Sequence, residues 1–69
     1  MNTDIYWPDW IPKVGDLVQL KSTFGRVGTV VNNNLSADGN PTDEVDVYFF
    51  TKGEKELVFV QDLEIISRA

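Results

Sequence analysis

The chain contains no cysteine and no histidine among its 69 residues. Without cysteine there is no disulfide framework, thiolate metal site or cysteine nucleophile. Without histidine the commonest general base and the commonest zinc ligand are missing. Long hydrophobic runs are lacking too: the longest uncharged apolar stretches are about five residues, far short of the roughly 20 that a membrane helix needs. Met1-Asn2-Thr3-Asp4 has neither the basic start nor the apolar run of a signal peptide, so a cytoplasmic protein is expected. A chain of this size buries only about 60% of its unfolded surface, which permits one modest core.

Against these absences stand 42% apolar and 25% charged residues, ordinary values for a folded domain. The net charge of −5 is unevenly placed. Residues 1–31 balance Asp4, Asp9 and Asp16 against Lys13, Lys21 and Arg26. Residues 32–69 set Asp38, Asp43, Glu44, Asp46, Glu54, Glu56, Asp62 and Glu64 against Lys52, Lys55 and Arg68, and so hold the whole excess. A phosphate backbone is repelled by such a half unless a local basic patch prevails.

Pro8 and Pro12 exclude a helix interior and push Trp7 and Ile11 toward extended geometry. With Tyr6 and both tryptophans, Trp7 and Trp10, residues 1–13 read as an extended aromatic leader. From Val14 the pattern turns to β. Val14–Lys21 alternates, with Val18 and Leu20 facing inward and Gly15-Asp16 as the entry turn. Ser22–Gly25 is a turn and Arg26–Asn32 a second strand, in which Gly28 marks a bulge or a close backbone approach. Asn32–Asp43 is a polar loop, long against the usual median of about 4–6 residues.

Glu44–Phe50 alternates cleanly, with Val45, Val47 and Phe49 on one face and Asp46, Tyr48 and Phe50 on the other. Thr51–Glu56 reads as a charged turn, Leu57–Val60 as the fourth strand, Gln61–Leu63 as a 3-10 turn and Glu64–Ile66 as a short closing strand. The expected fold is all-β: an extended leader over 1–13, five short strands closing into a small barrel over 14–66, and a frayed tail over 67–69.

Gly15-Asp16-x-Val18-x-Leu20 followed by Gly25-Arg26-Val27-Gly28-Thr29-Val30 resembles the KOW-type opening of SH3-like barrels. Leu57–Glu64 is similar to the closing segment of such barrels, where a strand enters a 3-10 turn and a Leu-Glu pair leads the last strand. The small SH3-like subunit of photosystem I and related redox-accessory barrels share the layout. The resemblance spans about residues 13–66 and implies a five-stranded SH3-like barrel. From its ribosomal and transcription-factor members it implies nucleic-acid binding, through Lys13, Lys21, Arg26 and Lys52.

No catalytic arrangement stands out. Ser22, Ser36 and Ser67 have no histidine to activate them, and the paired carboxylates sit in turns, where nothing splits their pKa values. Asp38, Asn40 and Asp43 lack the glycine and glutamate positions of a calcium loop. The expectation is a non-enzymatic, monomeric module without metal or cofactor that docks onto a protein partner. Its size suits a viral or bacteriophage accessory factor. Tyr6, Trp7, Trp10, Tyr48 and Phe50 are the candidate partner-binding residues, since Trp and Tyr dominate interface hot spots. The alternatives are a KOW-like nucleic-acid-binding domain, or an acidic nucleic-acid mimic that inhibits a host enzyme.

Overall fold

The computed structural model describes residues 7–23 and 25–69 of the chain, so Tyr6 lies outside the described residues. Strand β1 spans Leu17–Leu20, β2 Val27–Asn33, β3 Glu44–Phe49, β4 Glu54–Phe59 and β5 Leu63–Ser67, with a 3-10 turn at Val60–Asp62 between the last two. They form one antiparallel sheet in the order β4-β3-β2-β1-β5. Among the described residues there is no α-helix, and no helix long and apolar enough to cross a membrane. β4 and β5 are the two outer strands and do not pair with each other, so the expected barrel closure is absent and the sheet stays open.

Alternation places the core. Val45, Val47 and Phe49 of β3 are fully buried, together with Val18 of β1 and Val30 of β2, and Val58 of β4 is buried beside them. Burying a side chain of this kind stabilises a fold by about 1.5–3 kcal/mol. Ile11, Val60 and Leu63 complete the cluster, and Trp7, Leu20 and Ile65 pack around it. Ile11 and Pro12 of the leader are buried, and Ile11 is part of the core.

The bounds of every strand differ somewhat from the sequence expectation: β2 runs Val27–Asn33 rather than Arg26–Asn32, β3 stops at Phe49 rather than Phe50, and β5 takes in Leu63 and Ser67 beyond Glu64–Ile66. β1 begins at Leu17, because Val14 and Gly15 form a turn in which the Asp16 amide donates to the Lys13 carbonyl at 2.9 Å. β4 begins at Glu54, because Phe49 pairs directly with Glu54 across a turn that ends on Gly53. Gly53 has φ 68°, and its amide donates to the Phe49 carbonyl at 2.8 Å; a side chain is strained in that left-handed region. The 3-10 turn starts at Val60, whose amide donates back to the Asp43 carbonyl at 2.7 Å.

Fasteners tie the ends to the sheet. The buried Asp16 carboxylate accepts from the Lys13 amide at 2.9 Å and the Ala69 amide at 2.8 Å, and Arg68 lies 3.9 Å away. Ser67 belongs to β5, and the Arg68 guanidinium also donates to the Asp9 carbonyl. Residues 67–69, expected to fray, are thus held at these points. Asn33 joins β2 to the leader: its amide donates to the Pro12 carbonyl at 2.8 Å, and its oxygen accepts from Val14 N–H at 3.1 Å.

Candidate functional site

The two tryptophans take opposite roles. The Trp7 indole N–H donates to the Ile11 carbonyl at 2.9 Å, and Lys13 lies 5.5 Å from its ring centroid. Trp7 is therefore fixed against the core with its polar atom satisfied. Trp10 is 62% exposed. It lines a shallow groove of about 540 Å³ with Lys21, Leu63, Glu64 and Ile65.

Tyr48 and Phe50 share the outer face of the sheet, their rings edge-to-face with centroids 6.0 Å apart. The register extends this surface. Tyr48 lies opposite Lys55, Asp46 opposite Leu57 and Glu44 opposite Phe59. Opposed residues of an antiparallel pair share a face, and diagonal neighbours are within reach of long side chains. Phe50 and Tyr48 thus share the outer face of β3–β4 with Leu57 and Phe59, the two pairs separated by the Lys55–Asp46 ion pair at 4.0 Å, with Phe50 51%, Leu57 60% and Phe59 48% exposed. Leu57 and Phe59 were not legible as site residues. In Leu57-Val58-Phe59-Val60 every position is apolar, and no alternation tells which side chains turn inward.

Most of the candidate cations are already engaged. Arg26 lies 4.3 Å from the Phe49 ring centroid and donates to Glu56 at 3.1 Å, and Lys52 contacts the same carboxylate at 3.0 Å. Together they hold the Glu56 carboxyl below its usual pKa, chiefly through the Lys52 hydrogen bond. Lys13 stands over Trp7. Lys21, in the Trp10 groove, makes no ion pair among the described residues. Arg26 and Lys52 converge on one acid, while Lys13 and Lys21 sit with the leader and its groove, so no shared basic track is built.

The loop after β2 is held by its own polar groups. Asn32 and Asn34 each donate to Asp46, and Thr42 donates to the Asn34 carbonyl. The Ser36 hydroxyl donates to Asp38, which lowers the Asp38 pKa, with the Asn40 backbone adding to the effect. Asp38 therefore turns toward its own loop. Among the described residues no three acids gather as a metal-binding set. Compared with known protein families, curated proteins and solved structures, the chain matches none.

Proposed function

We propose that the chain is a small, non-enzymatic docking module that engages a protein partner through the outer face of β3–β4. The observation that carries this reading is the set of exposed Phe50, Tyr48, Leu57 and Phe59 on one face of β3–β4. Aromatic side chains supply large contact areas at low entropic cost, and exposed apolar patches on small domains mark interaction sites. The strand order, with a 3-10 turn joining the two outer strands, supports an SH3-like architecture for the scaffold. The engagement of Arg26, Lys52 and Lys13 within the fold favours a protein partner over a nucleic acid.

The test is site-specific photocrosslinking in the cells that express the protein. A benzophenone side chain at Phe50 or Leu57 is expected to give one defined protein adduct, and the same group at exposed Val14 none. Adducts at Val14 alone, or at none of these positions, would sink the reading.

A further inference from the structure

The two outer strands of the sheet are treated differently. β5 has the leader beside it: Trp10 shares a groove with Leu63, Glu64 and Ile65, and Arg68 donates to the Asp9 carbonyl. β4 pairs with β3 alone among the described residues. Natural proteins blunt an outer strand with proline, a bulge, a cover or charge. β4 has no proline, and its pairing with β3 runs without a register shift. Its charges, Glu54, Lys55 and Glu56, all lie in its first half, leaving Leu57, Val58 and Phe59 unguarded.

The hydrogen-bond phase fixes which main-chain groups face outward. Bonded and non-bonded pairs alternate along an antiparallel ladder. The Val60 amide donates to the Asp43 carbonyl, in register with Glu44 opposite Phe59. Asp43 and Val60 are thus a bonded pair, and so are Val45 with Val58, Val47 with Glu56 and Phe49 with Glu54. The Phe50 amide, which donates to the Val27 carbonyl, gives the same phase from the other side of β3. The N–H and C=O groups of Lys55 and Leu57 and the N–H of Phe59 therefore point away from β3, while the Phe59 carbonyl, at the N-cap of the 3-10 turn, accepts the first bond of that turn. Free main-chain groups and an exposed apolar side chain coincide fully at Leu57, and at Phe59 the free N–H does so.

Charge selects the occupant. Glu44 stands across from Phe59, Asp43 holds Val60, and Asp62 lies in the turn that follows. None of these acids makes an ion pair among the described residues. A second copy pairing two-fold about Leu57 would bring its Glu54 to Val60 and these acids and its Lys55, which already contacts Asp46 at 4.0 Å, to Phe59 and Glu44, with Lys52 bound to Glu56. Self-pairing therefore adds an acid to this cluster and brings to it only lysines already paired within the fold. An extended segment with cationic ends sets opposite charges together.

We propose that β4 is a strand-addition site for an extended partner segment with alternating apolar side chains and terminal Lys or Arg. Its backbone pairs with Lys55, Leu57 and Phe59, its apolar residues lie on Leu57 and Phe59, and its cations meet Asp43, Glu44 and Asp62. Main-chain bonds supply affinity in this mode, and alternate side chains supply specificity. The inference rests on the docking reading above and adds the binding mode and partner chemistry.

The probe is the acetylated, amidated peptide Lys-Lys-Ile-Thr-Val-Thr-Ile-Lys-Lys, whose two basic ends serve either strand direction. Titrated into the isotopically labelled full chain, it is expected to shift the amides of Lys55, Leu57 and Phe59 and slow their hydrogen exchange. Replacing its lysines by glutamate is expected to weaken binding at least tenfold. So is N-methylation along one of its edges, but not along the other. In the protein, Leu57→Pro removes an outward donor without touching the β3 ladder; the N-methyl peptides test the same bonds in the unaltered fold. Equal binding of the Glu peptide, insensitivity to either N-methylation, or no slowed exchange at these amides overturns the proposal. Concentration-dependent slowing without peptide overturns it in favour of a self-paired dimer. If the peptide fails while crosslinks persist at Phe50 and Leu57, strand addition alone falls and docking stands.

Discussion

Gly28→Ala probes the contact that positions the outer face. Gly28 is buried on β2, opposite Phe49. A Cβ there would lie 2.3 Å from the Tyr48 carbonyl oxygen and 2.8 Å from Val47 Cγ1. The oxygen belongs to the β3 backbone and has no rotamer to escape into, so β2 and β3 must separate. Overpacking of this kind costs about 1–3 kcal/mol. The reduced freedom of the unfolded chain returns about 0.4–1 kcal/mol. A net loss of about 1–2 kcal/mol is expected, against a total of about 3–10 kcal/mol for a domain of this length. At about 4–8 °C per kcal/mol, the midpoint of thermal unfolding falls by roughly 5–15 °C. Far-ultraviolet circular dichroism during heating and urea titration reads both quantities. Gly25→Ala serves as a comparison, since Gly25 has φ 88° but nothing within 4 Å of the added carbon. Its cost is backbone strain alone, and it should leave the Tyr48 resonances in place. A Gly28→Ala protein as stable as the parent, with Tyr48 unshifted, would refute the close approach.

Acrylamide should quench a Trp7→Phe protein, which keeps Trp10, far more strongly than a Trp10→Phe protein; equal quenching would contradict the buried hydrogen bond of Trp7 to Ile11. Asp16→Ala strands the Lys13 and Ala69 amides and is expected to cost about 1–3 kcal/mol by urea unfolding, with removal of residues 68–69 adding little in the variant. The Glu56 carboxyl has a lowered folded pKa, so the unfolded chain binds its proton at higher pH than the folded one. Its contribution is complete above the ordinary carboxylate range and is lost as pH falls through the folded value; Glu56→Gln should therefore flatten the acid side of the stability profile below about pH 4.3. An unchanged slope there would show that Lys52 and Arg26 do not act on Glu56 in solution.

The sequence by itself determined the β class and the inward face of β3. Strict alternation at Val45, Val47 and Phe49 leaves one pleat parity for the core, whatever the partner strands are. It also marked Gly28 as either a bulge or a point of close approach, because glycine acts locally on the backbone, and residues 1–13 as an extended aromatic leader. Only the tertiary structure decided the rest. Trp7 and Trp10 are near neighbours of one residue type, and a carbonyl at Ile11 with a cation at Lys13 separates the buried ring from the exposed one. Glu54–Glu56 has the composition of a turn, yet it completes β4, because it pairs with Val47–Phe49 of β3 and Glu56 meets Arg26, 30 positions away. Asp16 looks like a turn residue and serves as a buried fastener for the C-terminal residues, 53 positions away. The open flank of β4 has no local signature at all. It exists because β5 pairs with β1 and the leader lies beside β5, leaving Leu57 and Phe59 at an outer strand with the Leu57 main-chain groups and the Phe59 N–H turned outward.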